Sequence, residues 1–276
     1  MKLQFAGIRR NSQYSPNQIT NDGLILLKTT QELMKLGIDY KIYEESEIIN
    51  NKINEDIIFT MARGIDALNI LSGMEDNGKL IINSPRSSIN CYRVNMSAKL
   101  KASGIPFPNS KIVKTNSNEN YKLTDVGKNK IWVKRGDVHA IHREDVSLVY
   151  SDEELNFILK EFALREITEA ILQEHIPGDV IKFYSVSGTD FFRWYNHNDN
   201  NSYQFEVDYL KELSTKSAES LNLLIYGGDA IISKNGAITI IDINDWPSFA
   251  NFRDEASVYI AEKIYSTSME FKKLND

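Results

Sequence analysis

A chain of 276 residues can bury a large core and hold two or three subdomains. With 42% hydrophobic and 25% charged residues it is typical of a soluble globular protein, and no apolar run approaches the roughly 18 residues of a membrane span. The net charge of −6 argues against nucleic acid as the main partner, and the single cysteine excludes an intrachain disulfide, which fits a cytoplasmic location.

The first part of the chain alternates predicted strands and helices. Its N-terminus lacks the apolar core of a signal peptide and is predicted to be a strand. Apolar residues recur at helical spacing from Asp22 to Leu36, and Gly37 suits the end of that helix. The predicted strands are Leu3–Ile8, Asp39–Tyr43, Asp56–Met61 and Leu80–Ile82, and the predicted helices are Asp22–Leu36 and Ala67–Asp76. This alternation predicts a parallel sheet.

The rest of the chain predicts two mixed subdomains. Ser151, with Glu154 three residues later, forms a capping box for a helix through Thr168. A second helix is predicted at Tyr209–Leu223 and a closing helix from about Arg253. The predicted strands are Lys111–Thr115, Ile131–Lys134, Ile181–Val186, Asp190–Trp194 and Gln204–Val207.

The most informative segment spans residues 223–249 and predicts a hairpin with acids on facing strands. Asn235-Gly236 predicts a two-residue turn, because both residues tolerate positive φ angles. The turn brings Asp229 near Asp242 and Asn244, which are two apart and therefore share a strand face. Solvated acids on an ordinary hairpin are the alternative, but Asp242 interrupts an apolar run where an unpaired charge is costly. Two carboxylates and an amide oxygen suit Mg²⁺.

This hairpin resembles the metal-binding end of the ATP-grasp superfamily, in the pattern G-x-D-x-I, a turn, I-D-I-N and an aromatic-Pro step. Other segments follow in the order of that family. Lys130–Arg135 resembles the strand of the phosphate-binding lysine, Ile171–Gly178 the adenine hinge, and Asn90–Pro108 the entry to the central subdomain. The resemblance implies an α/β ATP-grasp fold. An N-terminal parallel α/β subdomain (1–95) precedes two α+β subdomains (96–172 and 173–276), which clasp the nucleotide.

The resemblance also implies ATP and two Mg²⁺ ions as cofactors. Lys134 and Arg93 would neutralise the phosphates, while Asp229, Asp242 and Asn244 would hold the metal. The hinge residues Gln173, Glu174, His175 and Ile176 would bind adenine, and Asp179 the ribose. The alternatives are that Lys134 is a surface lysine, that Arg93 is an ion-paired arginine, that the hinge is a plain connecting strand, and that Asp179 lies in an ordinary Pro-Gly-Asp turn.

One loop resembles a particular branch of the family. Arg135–Arg143 contains only Gly136 where many members have a Gly-rich loop, and its histidines resemble those of the inositol trisphosphate 5/6-kinase branch. The resemblance implies that Lys134, Lys182 and Arg193 are catalytic. It implies that the acceptor is bound by Arg9, Arg10, His139, His142, Lys182 and Arg193. Exposed loop histidines and cross-strand surface charges are the alternatives.

Two enzyme classes and one non-enzyme class share this machinery. The preferred prediction is an inositol-phosphate-type kinase that transfers the γ-phosphoryl group of ATP to a small anionic acceptor. The alternative is a carboxylate-amine ligase acting through an acyl phosphate, as in glutathione-synthetase-like or ribosomal-modification ligases. A nucleotide-binding module without turnover is disfavoured by the intact metal set. No nucleic-acid or membrane partner is expected, and the sequence leaves the acceptor and the oligomeric state open.

Overall fold

The computed structural model describes residues 3–15, 19–50, 53–138, 141–197 and 203–275, and their strands form three four-stranded sheets. The first sheet is parallel, as predicted, with the order β2-β1-β3-β4. Its strands are β1 (Phe5–Arg9), β2 (Tyr40–Glu44), β3 (Ile57–Thr60) and β4 (Leu80–Ile82). The accompanying helices are α1 (Ile19–Lys35) and α2 (Ile65–Asp76). The order places the carboxyl ends of β1 and β3 side by side, where parallel sheets commonly bind ligands.

The second sheet is antiparallel and follows two short helices, α3 (Pro85–Asn90) and α4 (Arg93–Ala102). Its order is β5-β8-β6-β7, and α5 (Asp152–Leu164) follows β7. The strands are β5 (Ser110–Lys114), β6 (Ile131–Arg135), β7 (Val146–Val149) and β8 (Glu169–Glu174). Ser151 caps α5 by accepting the N–H of Glu154 at 3.2 Å, as predicted. The helix ends at Leu164 and not at Thr168, and the left-handed backbone of Glu166 marks the break.

The third sheet is also antiparallel and contains the predicted hairpin. Its order is β10-β9-β11-β12. The strands are β9 (Asp179–Val186), β10 (Phe192–Asn196), β11 (Ile225–Ile232) and β12 (Ile238–Asp245), with helices α6 (Val207–Leu221) and α7 (Arg253–Asn275). Within the residues described, no helix combines the length and apolarity needed to cross a membrane.

Two predictions in this region are wrong. The predicted strand at 204–207 is irregular chain that leads into α6, because helical spacing lets Leu210, Leu213 and Leu221 be buried. The hairpin turn has three residues and not two. Ser233 donates to the carbonyl of Ala237, and among the turn residues only Gly236 has positive φ.

Side chains of the N-terminal sheet fix the ends of the hairpin strands. Asn83 accepts the N–H groups of Leu224 and Ile225 at 2.9 Å and donates to the Ile225 carbonyl at 2.8 Å. Arg63 donates to the Asp245 carbonyl at 3.2 Å. These bonds place the hairpin beside the carboxyl edge of the parallel sheet.

Candidate active site

The two acids of the hairpin face each other across its strands. Asp229 of β11 is in register with Asp242 of β12 on one side and with Lys182 of β9 on the other. The Lys182 ammonium donates to Asp229 Oδ1 at 2.8 Å. Burial alone would lower the pKa of Lys182, but Asp229 raises it above its usual range. Because cross-strand partners share a sheet face, the structure brings all three side chains together.

Two glycines let the hairpin strands approach closely at this point. A Cβ on Gly228 would lie 2.4 Å from the backbone oxygen of Asp242, and one on Gly227 would lie 2.7 Å from that of Phe183. The strand register shifts immediately after Asp229, which marks a β-bulge. A side chain at position 227 or 228 would therefore clash with the backbone, so glycine is required at both positions before Asp229.

A cleft of about 410 Å³ lies between this sheet face and the N-terminal sheet. Asp229, Asp242 and Asn244 line it, and Asp242 Oδ1 is buried without a hydrogen-bond partner. In the described parts of the chain, no group of three or more His, Cys, Asp and Glu side chains is arranged to hold a metal. Two carboxylates and one amide fit Mg²⁺ if nucleotide phosphates and water supply the remaining oxygen ligands.

Two buried cations belong to the same site. Lys134 of β6 is only 8% exposed, so the alternative of a surface lysine is wrong. The pKa of Lys134 is lowered to about 8, chiefly by burial, and Arg93 contributes to the lowering while Asp242 and Asp229 oppose it. Arg93 lines the cleft, is 6% exposed and has a buried Nε without a hydrogen-bond partner. A buried, incompletely bonded guanidinium beside a buried ammonium is suited to binding phosphate.

The segment between β6 and β7, which lacks the usual glycines, is anchored by Asp145. This fully buried carboxylate accepts the backbone N–H groups of Ile141 and His142 at 2.8 and 3.0 Å. It also accepts bonds from Arg135 at 3.0 Å and Arg165 at 2.5 Å. Burial would raise the pKa of Asp145, but these four hydrogen bonds lower it to about 2. Ionic anchoring thus ties Ile141 and His142, just before β7, to Arg135 at the end of the strand of Lys134.

Replacing Asp145 with asparagine should loosen this loop. The pKa of Asp145 is about 2 in the folded protein and about 3.9 in an unfolded chain, so its charge stabilises the fold above pH 4. That contribution, about 2.6 kcal/mol, is lost as the pH falls from about 4 to 2. Urea unfolding should therefore give a lower free energy of unfolding for Asp145→Asn than for the wild type at pH 7, and this difference should shrink below pH 4. Asp76→Asn, at an exposed ion pair, is the control. A difference in the free energy of unfolding that does not vary with pH would contradict this role for the charge.

The residues predicted to bind adenine and ribose lie at the end of β8 and the start of β9. They are Gln173, Glu174, His175, Ile176 and Asp179, and none of them lines the cleft. The His175 ring lies against Trp132 at a centroid distance of 6.2 Å, and burial lowers the pKa of His175. Asp179 accepts the backbone N–H of Tyr203 at 2.7 Å. Their roles in nucleotide binding stay predictions.

The structure does not assemble the predicted acceptor-binding cations into one cluster. Arg193 donates two hydrogen bonds to Glu255 of α7 and does not line the cleft. Arg9 is exposed and pairs with Glu44 at 3.1 Å, and His142 is exposed. His139 lies outside the described residues. The placement of Arg193 does not support a catalytic role, because the packing of α7 supplies its partner.

Arg10 lines the cleft but is occupied by protein partners. Its Nη1 pairs with Asp22 at 2.9 Å, and its Nε donates to the Met61 carbonyl at 3.1 Å. Its Nη2 donates to the Trp246 carbonyl at 2.9 Å. Of the predicted acceptor residues, Lys182 lies beside Asp229, and Arg10 holds the hairpin end against the first sheet.

Sequence reasoning missed Arg63, which also lines the cleft. Arg63 is nine-tenths buried; its Nε lies 3.4 Å from Asp245 Oδ1 in an ion pair but has no hydrogen-bond partner. Glu45 accepts the N–H groups of Arg63 and Gly64, and Tyr92 donates to the Arg63 carbonyl at 2.7 Å. A signal was available in the sequence, because Arg63 follows the carboxyl end of a predicted parallel strand.

No protein-family model matches this sequence, and comparison with curated proteins finds no match either. Comparison with solved structures finds matches over the whole chain. The D-alanine–D-alanine ligase of Bacillus anthracis complexed with ATP has a TM-score of 0.76 and 14% identity, covering 100% of both chains. The Coxiella burnetii D-alanine–D-alanine ligase has a TM-score of 0.72 and 14% identity, covering 99% of this chain and 98% of that one. D-alanyl-alanine synthetase A of Vibrio cholerae O1 has a TM-score of 0.69 and 11% identity, covering 96% and 98%.

These similarities show the fold. D-Alanine–D-alanine ligases are ATP-grasp proteins, so the predicted ATP-grasp fold is confirmed, with its parallel N-terminal sheet and two antiparallel sheets. The resemblance to the inositol trisphosphate 5/6-kinase branch receives no support from these structures.

Proposed function

We propose that this protein is an ATP- and Mg²⁺-dependent ligase that joins a carboxylate to an amine through an acyl phosphate. The observation that carries the proposal is the juxtaposition of Asp229 and Asp242 with the buried cations Lys134 and Arg93 in an ATP-grasp fold. The structural neighbours that are ligases support this class over the kinase.

Each group of candidate residues has a distinct role in this proposal. Asp229, Asp242 and Asn244 would hold two Mg²⁺ ions, which when bound supply positive charge at the phosphate oxygens. Lys134 and Arg93 stabilise the negative charge that shifts as the phosphoryl group moves. The segment from Gln173 to Ile176 would bind adenine.

The reaction then has two balanced steps. A carboxylate oxygen of the acceptor bonds to the γ-phosphorus of ATP, and the bond from that phosphorus to ADP breaks. The amine nitrogen next bonds to the acyl carbon, and the carbon–oxygen bond to phosphate breaks. The amine proton leaves to water or to the departing phosphate. Arg63 lies buried at the cleft wall with an Nε that makes no hydrogen bond, and it would hold the acceptor carboxylate for the first step in exchange for part of its contact with Asp245.

The placement of the acceptor cations weakens the kinase alternative. A polyphosphorylated acceptor needs several unpaired cations around it. Arg10 and Arg193 are instead held by protein partners, and His142 is exposed outside the cleft. The cleft offers Arg93 and Arg63, each with a buried Nε that makes no hydrogen bond, although Arg63 also pairs with Asp245 at 3.4 Å. Two such guanidiniums suit one carboxylate and one phosphoryl group, and they are too few for a polyphosphorylated acceptor.

An ADP-release assay tests the proposal directly. The protein is incubated with Mg-ATP and a panel of amino acids and short peptides, with hydroxylamine as the amine. We expect hydroxamate and ADP in equal amounts, because hydroxylamine intercepts an acyl phosphate. A stable phosphate ester formed without an amine would instead establish a kinase.

A further inference from the structure

A second cavity of about 550 Å³ adjoins the cleft at the carboxyl edge of the N-terminal sheet. Arg10, Ser15 and Asp22 line both spaces. Its apolar wall is one side of α1, and its other wall comes from the segments that follow β1 and β2. We call this space the α1 groove.

Three polar side chains that hydrogen-bond to one another lie at the junction between the cleft and the α1 groove. Asp22 accepts bonds from Arg10 at 2.9 Å and from the Ser15 hydroxyl at 2.6 Å, and all three side chains are nearly buried. These hydrogen bonds therefore hold the three side chains in place between the two spaces.

Every acidic residue that lines the α1 groove has a partner within the protein. Asp22 is held at the junction, and Glu44 pairs with Arg9. Glu45 accepts three backbone N–H groups, including that of Asn11 at 2.6 Å. The groove therefore lacks a free carboxylate for an ammonium group, and it suits a neutral part of a ligand.

Gly23 lines the groove and leaves open space beside α1. It lies inside α1, where glycine destabilises a helix by about 0.5–1 kcal/mol relative to alanine. A Cβ on Gly23 would meet no atom within 4 Å, so packing within the chain does not require glycine there. Ile19 and Leu27 lie one turn away on either side and are 59% and 49% exposed. A ligand lying along this helix face would account for both the glycine and the exposed apolar side chains.

We propose that the carboxylate substrate is a peptide whose apolar residue lies in the α1 groove while its carboxylate lies in the cleft. This rests on the proposed ligase function. The two spaces adjoin, because Arg10, Ser15 and Asp22 line both, and this supports one ligand that passes over these three residues and reaches both spaces. Neutral polar residues line the groove beside the apolar stripe and suit backbone amides, namely Asn11, Ser12, Thr20 and Ser46.

The test fills the groove and compares substrates. Gly23→Leu is measured beside Gly73→Leu, since Gly73 lies inside α2, has the same open space around its Cα and lines neither cavity. The probes are N-acetylated tripeptides with an apolar central residue, and free amino acids, each with Mg-ATP and hydroxylamine. We expect tripeptides to exceed amino acids in kcat/KM, and Gly23→Leu to lower the tripeptide value at least about tenfold. Gly73→Leu should not change it, and the melting shift with Mg-ATP should be the same in all three proteins.

The outcomes separate the groove from the ligase. If amino acids react as well as tripeptides, or Gly23→Leu acts like Gly73→Leu, the groove proposal is wrong and the ligase stands. If Mg-ATP raises the melting temperature but no tripeptide reacts, a peptide substrate is also ruled out. If Mg-ATP gives no melting shift in the wild type, the proposed function itself fails.

Discussion

Asp242→Asn should remove most of the stabilisation that Mg-ATP gives to the folded protein. At a hundredfold excess over Kd a ligand adds about 2.7 kcal/mol to the unfolding free energy. We expect the wild type to show this gain and the variant to lose nearly all of it. The reason is that Asp242 is one of the two carboxylates that we propose as metal ligands.

The same substitution should leave the protein without ligand folded, with a small change in stability. Asp242 Oδ1 is buried without a partner, and Asp229 lies directly opposite it. A neutral amide of nearly the same shape relieves the repulsion from Asp229 but also loses the attraction to Lys134 and Lys182. Differential scanning fluorimetry with and without Mg-ATP measures both effects. Asp254→Asn, at an exposed carboxylate, is the control. Full retention of the Mg-ATP shift in Asp242→Asn would remove Asp242 from the metal site.

Lys134→Met should lower kcat/KM by about 10²–10³ while leaving the fold intact. Losing one preorganised contact to developing charge typically has an effect of that size. Methionine keeps the aliphatic volume of a side chain that is only 8% exposed. Lys114→Met, at an exposed position of the same sheet, is the control. Equal losses of activity and stability would mark Lys134 as structural.

The pH dependence of stability and of ATP affinity provides a second test of the role of Lys134. Its pKa is about 8 in the folded protein and about 10.4 in an unfolded chain, so the unfolded chain binds more protons between these values. Lys134 therefore makes stability rise with pH over this interval, and Lys134→Met should remove that contribution. Binding of ATP needs the charged form, so wild-type affinity should fall above pH 8. Unchanged pH profiles in the variant would contradict the shifted pKa.

The sequence predicted the hairpin well because its determinants are local. Positions two apart on β12 share a face, and a short turn sets the register of β11 against β12. Asp229, Asp242 and Asn244 therefore line the cleft together. The length of the turn was harder to predict, because Asn235-Gly236 also suits a three-residue loop in which only the glycine has positive φ.

Residues whose surroundings depend on packing between sheets and helices were not predictable in the same way. Arg63 reaches the hairpin across 182 residues of sequence, through a contact of β3's end with that of β12. Arg193 was predicted to face the acceptor, but α7 places Glu255 beside it. Strand patterns indicate which face a side chain occupies, and they do not show which helix later covers that face.

Transfer of ¹⁸O from the acceptor tests carboxylate activation most directly. A carboxylate substrate from the hydroxylamine assay is labelled with ¹⁸O in both oxygens, and the released phosphate is analysed by mass spectrometry after reaction with Mg-ATP and an amine. An acyl phosphate intermediate requires that one ¹⁸O atom appear in each phosphate, because the acyl carbon–oxygen bond breaks in the second step. Phosphate without ¹⁸O, or label retained in a phosphorylated acceptor, would contradict the ligase mechanism.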